Sequence, residues 1–210
     1  PAASYQARQY CTVFLNISKE ESMTAFTTEK IDVEPWFDME LFMGVSQETR
    51  LGGDVMDRFM TLWKNWLPHL TVKGIDTGKI KYLLVALDES VEQDVDKAWE
   101  GSPSNAFLYN ALAQTMCMAA VHAVIPEVQD AGCAPAPKPT ATLREALEAE
   151  GIPYSNDKDP ILSRRYAVVT HYPFKGGCEI CVLQSNCPKG QGQMEATSVV
   201  LPGYEHPQQM

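Results

Sequence analysis

From Ala106 to Val124 the chain runs nineteen residues without one Asp, Glu, Lys or Arg. Leu108, Leu112, Met116, Ala120 and Val124 recur every four residues, the period of a helix. A helix with no charged face has to be buried on most sides, so this one is expected at the centre of the fold. Ser104 or Asn105 caps its start, and Pro126 stops it. A second helix is expected from Asp54 to about Leu67, with Met56, Phe59, Met60, Trp63 and Leu67 on one apolar face and Pro68 ending it. A third is expected from Lys79 to Trp99, with Ile80, Leu84, Leu87, Val91 and Val95 on its stripe. Tyr82–Leu87 alone has the composition of a strand, but Asp88–Trp99 continues the helical period.

Around these lie shorter elements. Tyr10–Ile17 is β-branched and aromatic enough for a strand, and Ser18–Glu21 has the spacing of a capping box that opens a short helix. Cys133-Ala-Pro-Ala-Pro-Lys-Pro139 reads as a stiff, extended linker. Thr142-Leu-Arg-Glu145 forms a second capping box, for a helix closed by Gly151. Asp159-Pro160 opens another helix that ends near Arg165. Tyr166–Thr170 reads as a strand, and Thr197–Leu201 as another in a tail rich in Gly, Gln and Pro. The expected fold class is mainly α, of α+β type. A helical domain spans residues 1–130, a Pro-rich linker 131–141, and a small C-terminal segment 142–210 carries a cysteine-rich, metal-binding appendage.

The chemistry concentrates there. His171 precedes Cys178-Glu-Ile-Cys181-Val-Leu-Gln-Ser-Asn-Cys187-Pro, giving His-x6-Cys-x2-Cys-x5-Cys. Cys-x2-Cys lets two thiolates reach one metal around a tight turn, the x5 gap returns a third, and Gly176-Gly177 gives a flexible approach. Zinc sites usually carry two short-spaced pairs. A single pair with a lone third Cys points instead to an iron–sulfur cluster, [4Fe-4S], with zinc as the alternative. The fourth ligand is His171 by spacing; Cys133, Cys11 and Cys117 are the alternatives. The net charge is −10, yet residues 158–189 carry +3, leaving −13 for the rest; basic residues beside clustered thiolates would offset their charge.

This loop resembles the iron–sulfur loop of endonuclease III-type DNA glycosylases, Cys-x6-Cys-x2-Cys-x5-Cys, and similar loops of cluster-bearing RecB-like nucleases. Cys178, Cys181 and Cys187 match the last three positions, and His171 stands where the first Cys would be. The likeness covers residues 171–188 only. It implies a cluster and not a DNA activity, because neither a helix-hairpin-helix turn with a following Asp nor an Asp…Glu-x-Lys core accompanies it.

Other catalytic signatures are missing from the sequence. It has no Gly-x4-Gly-Lys-Ser/Thr and no Gly-x-Ser-x-Gly. No His follows Cys181 for haem attachment. The acidic run Asp88–Asp96 lacks the Gly and terminal Glu of a calcium loop and reads as a solvated helix face. Cys117 and His122, five apart on one helix, point different ways and read as packing. With no basic-then-apolar leader, and thiols that serve as ligands only when reduced, the expectation is a cytoplasmic protein. Its expected role is a soluble iron–sulfur accessory or electron-transfer protein that docks on a redox enzyme or its maturation machinery. The alternatives are a nucleic-acid-processing protein with a structural cluster, disfavoured by the acidic charge, and a zinc-stapled partner-binding protein. No membrane partner is expected.

Overall fold

The segment from Leu70 to Leu87 folds as a hairpin because of the chemistry of its turn. In this computed structural model, which describes residues 25–156 and 160–187, strands β2 (Leu70–Asp76) and β3 (Lys81–Leu87) pair antiparallel from Leu70↔Leu87 to Asp76↔Lys81. Asp76 Oδ1 accepts from Gly78 N at 2.7 Å, Thr77 Oγ1 donates to Ile80 O at 2.7 Å, and Gly78 takes φ +75°. A carboxylate bonding two residues on, followed by a Gly in the left-handed region, is what reverses a chain. The helix expected over Lys79–Trp99 is therefore corrected to a strand followed by a helix, α3 (Glu89–Gly101). Its break is Asp88, whose side chain accepts from Ser90 N and caps α3, with Glu89 and Glu92 complementing the positive end of the helix.

Two more strands complete the sheet, in the order β1-β2-β3-β4 and antiparallel throughout: β1 (Thr27–Lys30) against β2, and β4 (Ala167–His171) against β3. Interior β3 is buried on both faces. Leu83, Val85 and Leu87 join one apolar cluster with α1 (Met39–Ser46), α2 (Gly53–Trp66), α3 and α4 (Pro103–Val124). Tyr82, Leu84 and Ala86 join a second cluster with α6 (Ala141–Ala149) on the opposite face. A short α5 (Glu127–Ala131) follows α4.

Helix α4 is the expected central element, starting three residues earlier than read because Ser102 rather than Ser104 caps it and Pro103 occupies the first turn. Ten of its residues are buried. By length and composition it is long and apolar enough to cross a membrane, and half of that stretch is buried inside the fold. Helix α2 forms where expected but turns Phe59, Trp63 and Trp66 inward and leaves Met60 39% exposed. Helix α1, capped by Asp38 accepting from Leu41 N, was not anticipated.

Helix α6 begins with Thr140 as cap instead of Thr142 and ends as expected at Gly151, φ +73°. There Ile152 N donates to Leu147 O and Gly151 N to Glu148 O, the paired reversal that satisfies the last carbonyls. The helix expected from Asp159-Pro160 to Arg165 is not formed among the described residues; Leu162 instead bridges antiparallel to Tyr154. The expected elements at Tyr10–Ile17, Ser18–Glu21 and Thr197–Leu201 lie outside the described residues.

Two-sided burial of β3 has a direct test. Leu83→Ala and Leu84→Ala, adjacent but on opposite faces, are each expected to cost ~2–5 kcal/mol in urea unfolding. A loss below about 1 kcal/mol at either site would refute burial on that face.

Candidate metal centre

Strand β4 delivers the chain to the cysteines. Its last residue, His171, pairs with Tyr82 of β3, and the two rings lie 5.4 Å apart. His171 Nδ1 is buried without a hydrogen-bond partner, an unmet demand that a proton donor or a metal would satisfy. Burial, and to a lesser degree Lys175, hold its imidazole below the ordinary histidine pKa. The ring is accordingly neutral near pH 7, the form that ligates metals.

The loop then turns on Gly176, φ +56°, where an added Cβ would fall 2.6 Å from Glu179 Oε1. Gly177 N donates to that same oxygen at 2.9 Å, and this backbone bond leads in holding the Glu179 carboxyl below its usual range. Glu179 therefore serves the loop's own backbone.

Two 3₁₀ turns, Cys178–Ile180 and Gln184–Asn186, pack on one another. Cys181 N donates to Cys178 O at 3.1 Å, Gln184 N to Cys181 O at 3.1 Å, and Cys187 N to Gln184 O at 3.3 Å. Each such bond closes a turn whose end α-carbons lie within about 7 Å. The three cysteines thus stand at three of the four corners of one three-step series, with Gln184 at the corner between Cys181 and Cys187. The Pro-rich segment anchors this series: Val182 N donates to Ala136 O at 3.0 Å, and Thr170 Oγ1 of β4 to Pro135 O at 3.0 Å. Pro135 and Pro137 are buried, so the stretch read as a linker packs against β4 and the loop. Cys133, half-buried, lies three residues before that anchor.

Cys178, Cys181 and Cys187 are half-buried thiols. Among the described residues no three or more His, Cys, Asp or Glu side chains are gathered closely enough to hold a metal ion. The donor types and the backbone series suit thiolate ligation, while the side chains would have to turn inward to close on a metal. Cys117 is placed quite differently. It is buried in α4 with its thiol donating to Tyr166 O at 3.5 Å, and burial pushes its pKa up to about 12. Cys11 lies outside the described residues.

The basic residues do not all face the cysteines. Arg165 forms a two-pronged pair with Asp96, Nη1–Oδ1 2.7 Å and Nη2–Oδ2 3.1 Å, and its backbone N donates to Glu92 Oε1 at 2.9 Å. Arg164 reaches the same Glu92 oxygen at 3.8 Å. These contacts clamp the chain entering β4 onto the acidic face of α3. No local signal announces the clamp, because nothing in the chain relates residues 92–96 to 164–165 before folding.

One other cluster has the composition of a hydrolase relay but not its geometry. Asp88 Oδ2 lies 2.6 Å and Ser90 Oγ 3.2 Å from His69, both at Nδ1. A serine relay needs acid and nucleophile on different ring nitrogens, so this is a cap on α3.

Thiol reactivity should sort the cysteines by position. In folded, reduced protein stripped of metal, iodoacetamide should alkylate the half-buried Cys178, Cys181 and Cys187, and the buried Cys117 only after denaturation. Equal rates at all four would contradict this arrangement. No family model matches the chain, and no curated protein or solved structure matches it.

Proposed function

We propose that this chain is an iron–sulfur protein whose C-terminal appendage holds a [4Fe-4S] cluster through Cys178, Cys181 and Cys187. His171 is the fourth ligand, with Cys133 the nearest alternative along the anchoring segment. The observation that carries this reading is the unbroken series of turns from Cys178 to Cys187, which puts three thiols on one anchored loop, one turn and then two turns apart. The orphaned Nδ1 of His171 at the entrance to the loop supports the fourth assignment. A bound cluster would supply one-electron transfer or a structural staple, tuned by nearby hydrogen bonds and burial.

In the chain itself, β4 and the Ala136 carbonyl hold the loop in place, and Gly176 with Glu179 shapes its turn. Ile180 and Val182, 37% and 36% exposed beside the cysteines, give the loop an apolar rim suited to a protein partner. We assign the role of an accessory or electron-transfer protein that docks on a redox enzyme or its maturation machinery. Pairing of Arg164 and Arg165 with Glu92 and Asp96 weighs against a nucleic-acid role, since those cations are already neutralised. Three Cys and one His are also a zinc donor set, so the metal decides between the cluster and a zinc-stapled knob.

Protein purified without oxygen should be brown and contain iron and acid-labile sulfide in equal amounts. Cys178→Ser, Cys181→Ser and Cys187→Ser should each abolish the colour, and His171→Ala should weaken or abolish it. A colourless protein with one zinc per chain overturns the cluster and leaves the staple. Protein that binds neither metal, even after reconstitution, overturns both.

A further inference from the structure

Within the cysteine loop, the backbone sets one pair of thiols apart from the third. Cys178 opens the 3₁₀ turn Cys178–Ile180, and Cys181 follows it directly, its N–H bonded to Cys178 O at 3.1 Å. A 3₁₀ turn rises about 2.0 Å per residue, which puts α-carbons three positions apart at ~6 Å and their side chains on one side. A disulfide spans α-carbons roughly 4.4–6.8 Å apart. Cys181 keeps the direction of the turn. Its φ of −79° is near the helical value, and its departure lies in ψ, 124°, which redirects only the chain beyond its Cβ. The two residues between project from the other sides of the turn: Glu179 bonds back to Gly177 N at 2.9 Å, and Ile180 is 37% exposed. Cys187 comes two turns later, through Gln184, so no single bond fixes its distance from either thiol. Cys178 and Cys181 are half-buried, within reach of a small reagent.

We propose that Cys178 and Cys181 are a redox-active dithiol that exchanges with low-molecular-weight disulfides. One thiolate attacks a sulfur of the reagent, forming a mixed disulfide and releasing one small thiol. The second attacks the protein-bound sulfur of that mixed disulfide and releases the other. The two cysteines together lose two electrons and two protons, and the reagent carries them away as two thiols. Resting on the cluster reading above, the same exchange regulates the metal site. The bridge withdraws two of its three thiolates, and a bound metal in turn keeps the pair from bridging, since both functions need the same deprotonated sulfurs. Cys187 takes no part in the bridge.

Full-length, reduced, metal-free protein equilibrated with oxidised and reduced glutathione tests the pair without reference to any metal. Its mass should fall by two hydrogens. Proteolysis after Glu179 should leave two fragments joined through Cys178 and Cys181, with Cys187 still open to iodoacetamide. Cys187→Ser should bridge as the parent does. The equilibrium constant for bridging should be about tenfold higher in folded protein than in urea, ~30 mV for a two-electron couple, because the turn holds the pair together. A bridge through Cys187, a Cys178 and Cys181 that both stay open to iodoacetamide, or an equal constant in urea overturns the proposal. Brown protein purified without oxygen should bridge about tenfold more slowly or not at all; bridging at the metal-free rate with the colour retained overturns the regulation. Colourless protein that still bridges overturns the cluster and leaves the dithiol standing.

Discussion

Burial of β3 on both faces organises everything else in this protein. A strand covered on both sides needs a layer above and a layer below, and the chain supplies them unequally. Four helices, with α4 foremost, cover the Leu83–Val85–Leu87 face, and α6 covers the Tyr82–Leu84–Ala86 face. Because α4 carries no charge from Ala106 to Val124, it can lie against the sheet and still accept α1, α2 and α3 around it. Most of the driving force resides in this sandwich, at ~25 cal/mol per Å² of apolar surface withdrawn from water.

The cysteine loop depends on that sandwich for its position. β4 is held along its inner edge by β3, and the chain entering β4 is clamped to α3 by Arg165 with Asp96 and Glu92. The strand then releases His171 and the loop at one end of the sheet, where the carbonyl of Ala136, between the buried Pro135 and Pro137, accepts from Val182 N. Polar contacts do the positioning: a carbonyl of the Pro-rich segment, a Glu folded back on Gly177, and a series of turn bonds. These bonds set the backbone course of the loop, and Cys178, Cys181 and Cys187 remain half-buried on it.

Legibility of the sequence followed the range of the interactions involved. α4, α2 and β4 were readable because periodicity, caps and β-branched composition are local signals. β3 was misread for a physical reason. A strand buried on both faces loses the alternation that marks a strand, and Ile80, Leu84, Leu87, Val91 and Val95 happen to fall at helical steps across the Asp88 break. Asp76-Thr77-Gly78 carries turn chemistry that was not read against that accidental period. The helix read at Asp159–Arg165 is not formed among the described residues, where Ser155 N donates to Ile161 O and Ser163 N to Pro153 O around the Tyr154↔Leu162 bridge. The cysteine spacing was legible, as was the placement of His171 just ahead of it. The unmet Nδ1 of His171, the anchor at Ala136 and the clamp at Arg165 were not, since each joins residues far apart in the chain or depends on burial.

By itself the sequence determined the local elements: which segment had to be central, where caps and glycines end helices, and that three thiols share one short loop. Those follow from backbone preferences and side-chain spacing within a few residues. Only the tertiary structure decided that Lys81–Leu87 is a strand, that the Pro-rich stretch packs beneath the cysteine loop, and that Arg164 and Arg165 serve α3. Each of these is an exchange of solvent for protein contacts between distant segments, and its free energy exists only once the chain has brought them together.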